Sequence, residues 1–182
     1  MHIRPCTQHD LEALRSRWPT PGKVHEAHYA QQADGRVTYL VAWRGDDPLG
    51  SGVVQWGGCT GPNAQETFPE AVEINHLQVR SDYRGQGVGS RLINAAEELV
   101  RQAGRHQVGV GVAEDNPDAE RLYVRLGYCK TGVFDVTEYD WVTGEGRRQH
   151  EVERDQLLLK VVGELRTPEQ NPLMPRPIEP WQ

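Results

Sequence analysis

Basic charge is scarce in this 182-residue chain: 20 lysines and arginines stand against 26 aspartates and glutamates, for a formal charge of −6. That balance argues against a nucleic-acid partner, which requires a concentrated basic face, and is compatible with a cationic substrate. Long apolar runs are also missing. None approaches the roughly 20 residues that a membrane helix needs, so no membrane partner is expected. The opening MHIRPC passes directly into a strand-like pattern with no charged-then-apolar leader, and the expected location is cytoplasmic. The three cysteines, Cys6, Cys59 and Cys129, are scattered and form no CxxC. This disfavours a disulfide framework or a zinc site, and no metal is expected. No internal repeat is found.

What is present fits one domain with a real core. HIRPC reads as a first strand, followed by a helix carrying Leu11 and Leu14 on one face, a break at Thr20–Gly22, and a second helix closed near Gly35. Val37–Trp43 and Pro48–Trp56 form a hairpin about RGDD. GGCTGPNAQETFPE is read as a loop, and AVEINHLQV as a central strand. Val88, Leu92, Ala96, Leu99 and Ala103 recur at three- and four-residue spacing, marking the buried stripe of a helix that ends at Gly104. After a strand at Gln107–Val112, Asn116 caps a helix with Pro117 in its first turn and Gly127 at its exit. Two more strands flank TGEG. Thr167–Gln182 holds five prolines and reads as an extended arm. The expected architecture is a mixed α/β (α+β) domain over residues 1–166, with an arm at 167–182.

The informative stretch is LQVRSDYRGQGVGSRL, where a strand runs through a polar corner into Gly85, Gly87 and Gly89 at the mouth of a helix. Unpaired N–H groups at a helix start, backed by the macrodipole, make an anion site, and glycine lets backbone come close to a phosphate. A P-loop ends in Gly-Lys-Ser/Thr, whereas this chain has Gly89-Ser90-Arg91. A dinucleotide fingerprint follows its strand directly, but here five residues intervene. A tight turn with no ligand is the bland alternative.

Arg84-Gly85-Gln86-Gly87-Val88-Gly89 resembles the acetyl-CoA signature of the GNAT superfamily of N-acetyltransferases, Arg/Gln-x-x-Gly-x-Gly/Ala. NPDAERLYVRLGY resembles the second half of the same site. The likeness covers Glu73–Tyr128 well, with Ser81 where the family often has proline. It implies a GNAT-like single domain with a central mixed, mostly antiparallel sheet flanked by helices, and acetyl-CoA as acyl donor. The pyrophosphate would sit on the amides of Gly85 to Ser90. The pantetheine arm would lie beside Leu77 and Val79, with Asn116 bonding it from the next helix. The Val79 N–H would stabilise the oxyanion. Tyr123 matches the family's thiol-protonating tyrosine, although Ala119, Leu122, Tyr123 and Leu126 also make a core stripe.

An amine nucleophile must lose a proton before attack. Glu73, six residues before Val79, stands at an offset where some family members carry a catalytic glutamate. Strand parity puts the two on one face unless a bulge intervenes, and sends the rival base His76 to the other. His25 and His28 have metal-like spacing but read as a solvated helix face. Trp18, Tyr29, Trp43, Trp56, Glu66, Asp135, Glu138, Tyr139 and Asp140 are candidates for a substrate wall. The expected activity is acetyl transfer to a small-molecule amine, with protein acetylation and a non-catalytic acyl-CoA-binding domain as rivals. Many relatives dimerise, so a homodimer stays open.

Overall fold

The computed structural model describes residues 1–142 and 148–163. The TGEG turn and the proline-rich arm lie outside the described residues. Seven strands form one sheet in the order β1-β2-β3-β4-β5-β7-β6. They are β1 (His2–Pro5), β2 (Val37–Arg44), β3 (Asp47–Gln55), β4 (Val72–Val79), β5 (Gln107–Ala113), β6 (Cys129–Val142) and β7 (Arg148–Val161). Every neighbouring pair is antiparallel except β4 and β5. The mixed, mostly antiparallel sheet flanked by helices is therefore as the sequence predicts. No helix among the described residues is long and apolar enough to cross a membrane.

Two helical layers cover the sheet, and β2 shows why its sequence is apolar throughout. Its alternate residues Tyr39, Val41 and Trp43 pack with Leu11 and Leu14 of α1 (Gln8–Arg17), beside α2 (Val24–Ala33). Leu40 and Ala42 point the other way, against α4 (Val88–Gln102), into the core cluster that α5 (Pro117–Arg125) also joins. A strand buried on both faces gains apolar burial from every residue. α4 buries Val88, Leu92, Ile93, Ala96 and Val100. Ala103, placed on the stripe by spacing, is instead its exposed C-cap, because the helix unwinds at Gly104. The presumed loop before β4 holds a short helix, α3 (Pro62–Thr67). No local cap announces α3 in the sequence: its N-terminal amides, Asn63 N–H and Ala64 N–H, donate to Asp135 of β6 at 2.8 and 3.0 Å. A Cβ on Gly61 would stand 2.1 Å from that carboxylate, so glycine is the residue that lets β6 cap α3.

Candidate active site

The site begins as a defect in the sheet. β4 and β5 pair only at Val72↔Val108 and Glu73↔Gly109, after which the two strands part. The edge of β4 facing β5 therefore has no strand partner among the described residues beyond Glu73, and exposed edges of this kind accept extended chains. At the far end of β4, Arg80 N–H donates to Leu49 of β3 at 3.0 Å. Successive N–H groups in a strand point to opposite edges, so Val79 N–H faces the opened wedge.

A bulge lies midway. Ser51 pairs with Gln78 and Val53 with Asn75, so His76 and Leu77 together stand opposite Gly52. His76 carries φ 49°, an uncommon value for a residue with a side chain. The extra residue inverts the alternation. Ile74, Leu77 and Val79 all join the core under α4, whereas Glu73 points to the α3 side. The parity that would place Glu73 and Val79 on one face is thus broken. The same bulge brings His76 into the cavity that Glu73 lines.

Beyond β4, the start of α4 forms a cradle. Gly85 and Gly87 have φ 73° and 77°, and no atom lies within 4 Å of where their Cβ atoms would stand. Gly87 is the N-cap and no side chain caps it, so the first amides of α4 are unclaimed by any cap. Val79, Arg84, Gly85, Gly87, Val88, Gly89 and Ser90 line a groove of about 580 Å³. The Gln86 side chain turns back, donating to the Asp82 carbonyl at 2.9 Å, so only its backbone belongs to the corner.

The groove shares Ala119 with a second cavity, of about 620 Å³, which fills the wedge. Leu77, Asn116 and Tyr123 line it, together with three carboxylates, Glu73, Asp135 and Asp155, and no Lys or Arg among the described residues. Asn116 caps α5 through Oδ1, which accepts from Ala119 N–H at 3.1 Å. Glu73 is 5% exposed, and its Oε2 accepts from both Thr60 N–H and Thr60 Oγ1 at 2.8 Å. Oε1 faces Gly111, whose missing Cβ would lie 3.7 Å away. Burial raises the Glu73 pKa above 4.5, against the lowering effect of the Thr60 and Asn75 bonds and with help from Asp155. Asp155 and Asp135 stand directly opposite in the β6–β7 register, and burial, then Glu153 and Asp135, raises the Asp155 pKa. Tyr123 packs edge-on against Tyr128, and burial lifts its hydroxyl to about 12. Its ring serves the core and the cavity together. No group of three or more His, Cys, Asp or Glu able to hold a metal is found among the described residues.

Other expectations move. His25 and His28 are 2% and 7% exposed, not a solvated face. His25 bridges Tyr39 OH (2.5 Å) and the Trp18 carbonyl (2.8 Å). Trp43 is core, Tyr29 is half-buried against the same cluster, and Trp56 donates to Thr38; none of the three lines the cavity. Glu66 and Glu138 are exposed outside the cavity. The side chains of Tyr139 and Asp140 lie outside the described residues. Thr60 and Asp155 were not identifiable from the sequence, since nothing local to them marks a site.

A strand pair split into a wedge, a glycine cradle at its mouth and a tyrosine on the facing helix invite comparison with known proteins. Residues 4–128 match the family model for the Acetyltransferase (GNAT) family. The chain belongs to the GNAT family. A mycothiol acetyltransferase of Geodermatophilus obscurus is 35% identical over 96 residues, 52% of this GNAT chain and 30% of that protein. The ribosomal-protein-alanine N-acetyltransferase of Brucella melitensis shares the fold, with a TM-score of 0.62 at 22% identity over 88% of this chain and 99% of that one. So does a GNAT phosphinothricin acetyltransferase of Sinorhizobium meliloti, solved with acetyl-CoA: TM-score 0.61, 16% identity, 89% and 88% coverage. The first three curated relatives are matched over only 26%, 30% and 46% of their own length.

Proposed function

We propose that this chain is an acetyl-CoA-dependent N-acetyltransferase that passes acetyl directly to the primary amine of a small cationic molecule. The observation that carries this reading is the continuous wedge: a phosphate-type cradle at one end, a three-carboxylate cavity at the other, and an unpaired β4 edge between them. On this reading the amides of Gly85 to Ser90 hold the pyrophosphate, and the open edge near Leu77 and Val79, with Asn116, receives the pantetheine arm. Acetyl-CoA supplies the thioester. Val79 N–H then steadies the oxyanion as it forms.

Three carboxylates with no Lys or Arg beside them in the cavity lining, among the described residues, favour a cation. Asp155 stands opposite Asp135, whose carboxylate is already engaged as the cap of α3, so Asp155 and Glu73 are the carboxylates that remain to face a cation. An ammonium of pKa ~10.4 pays about 4 kcal/mol to become neutral near pH 7.4, and Glu73, desolvated and beside the wedge, takes that proton. Tyr123 remains protonated up to about 12, as a donor to the departing thiolate must. An acyl-cysteine route is disfavoured: burial, then Glu73 and Asp135, pushes the Cys59 thiol up to about 12, leaving little thiolate.

The deciding experiment measures free thiol released from acetyl-CoA across a panel of small polyamines, amino sugars and lysine or N-terminal peptides. Faster release with small cations supports the proposal. Preference for peptides moves the acceptor to proteins, and slow release that no amine stimulates makes the domain a binder. Acetyl-CoA is also expected to raise the melting temperature, since it binds the folded state. Gly87→Val should abolish most of that shift, because a β-branched residue is strained at φ 77° and its side chain enters the cradle. An unchanged shift would move the phosphates elsewhere. Tyr123→Phe keeps the ring that packs on Tyr128 and is expected to lower turnover about 10²-fold with an unaltered melting curve. Full turnover would return Tyr123 to the core alone.

A further inference from the structure

We propose that His76 is the outlet for the proton that acetyl transfer releases, with His28 behind it as a positioning residue. The inference rests on the reaction proposed above and addresses a step that reaction leaves open. Written from the ammonium, the balance is RNH3+ plus CH3CO–S–CoA giving CH3CO–NHR plus CoA–SH plus H+. The C–S bond breaks and a C–N bond forms. Nitrogen gives up two protons: one replaces the proton that Tyr123 lends to sulfur, and the other stays on Glu73. Glu73 is 5% exposed and its Oε2 is held by Thr60, so the proton must leave by way of the cavity that Glu73 lines. Each cycle ends only when the proton leaves.

The titratable groups facing the cavity are Glu73 and His76 on β4, Asp135 on β6, Asp155 on β7 and Tyr123 on α5. Glu73, Asp135 and Tyr123 are buried and Asp155 is half-buried. His76 alone is exposed. It reaches both the cavity and solvent because it occupies the bulge, at φ 49°. Uncommon backbone values of this kind cluster at functional sites. Histidine also exchanges protons close to neutrality.

His28 of α2 supplies the back wall. Its ring centroid lies 4.7 Å from that of His76 and 5.2 Å from Tyr39. Neither of its ring nitrogens completes a hydrogen bond within the described residues, although the residue is 7% exposed. Such a buried, unpartnered group calls for an explanation. Burial, then His76, lowers the His28 pKa to about 4, with Gln31 pulling the other way. His28 is therefore neutral when the enzyme works, and its free lone pair is an acceptor for the N–H of a protonated His76.

The test uses His76→Gly in the full chain. Glycine adopts φ 49° without strain, so the bulge and the melting temperature should be kept. In weakly buffered solution, thiol release with the best amine should fall about 10-fold or more. Added imidazole should restore it, with substituted imidazoles following their own pKa values. His76→Asn, which also tolerates this backbone, should show the loss but much less rescue, because its side chain fills the vacated space. His28→Gln should shift the acid limb of the pH profile while leaving KM for acetyl-CoA unchanged. Full turnover of His76→Gly in weak buffer, or a loss that no imidazole restores, overturns the relay. A wild type that releases no thiol with any amine overturns the parent reading as well, and the two failures are thereby distinct.

Discussion

Glu73→Gln is expected to slow acetyl transfer about 10³-fold near pH 7, the range for a lost acid–base group, while acetyl-CoA still binds. The amide keeps an oxygen for Thr60 N–H and Oγ1, so the packing around position 73 survives. The deficit should shrink as the pH climbs toward the amine's own pKa of ~10.4, because solvent then supplies the neutral nucleophile. A deficit that stays constant with pH would make Glu73 a positioning group, and no deficit would pass its role to another base. Stability should move the other way. Burial raises the folded-state pKa above 4.5, so the protein loses stability as the pH rises through that range and Glu73 ionises. Glu73→Gln should therefore melt higher than wild type at pH 7 and lose the advantage near about pH 4. A variant both slower and more stable is the pattern expected when a buried charge is kept for chemistry.

Much of this fold could be read from local signals. The hairpin turn at Gly45–Asp46, the Asn116–Pro117 helix start and the glycine corner each follow from residues within a few positions, and the structure has them where spacing predicts. What escaped was set by partners distant in sequence. α3 exists because a carboxylate some 70 residues away caps it. The β4 bulge has no mark in EINHLQV itself, since a histidine in that run reads as an ordinary strand residue. Its cause lies partly across the sheet: a Cβ on Gly52 would stand 3.2 Å from Leu77 Cδ1, so the glycine makes room for the second bulged residue.

The same division applies to the candidate site. The cradle was legible because its glycines serve a backbone conformation, and two of them do have φ above 70°. The carboxylate cavity was legible only in part: Asp135 was among the wall candidates and lines it, but Thr60 and Asp155 converge from a loop and a late strand with no local mark. Aromatic residues misled for a related reason. A tryptophan that fills the interior and one that lines a groove look alike in sequence. Trp43 lies in the core, whereas Trp18 lines a groove beside Leu77, Val79 and Arg84.

His28→Phe is expected to remove a large part of the protein's acid lability. In the unfolded chain this histidine takes a proton near 6.5, and in the folded protein only at about 4. Below 6.5 the unfolded state binds more protons, so stability falls as the pH drops, and the loss is complete once the pH passes below about 4. A gap of that size corresponds to about 3 kcal/mol, or a few hundred-fold in the folding equilibrium. Phenylalanine carries no proton and is close in shape. Within the described residues neither nitrogen of His28 completes a hydrogen bond beyond a weak pull from Gln31, so the substitution gives up little and should be neutral or mildly stabilising at pH 7. His25, three residues earlier on α2, supplies the contrast. Burial lowers its pKa as well, but both its nitrogens are bonded, and His25→Phe would strand the Tyr39 hydroxyl and the Trp18 carbonyl. That variant should lose about 1–3 kcal/mol already at pH 7. Urea unfolding of the three proteins between pH 7 and pH 4 separates the cases. Parallel pH dependence in wild type and His28→Phe would show that His28 is not a source of the lability. Curves that converge at pH 7 and diverge toward pH 4 place the titration at this buried ring.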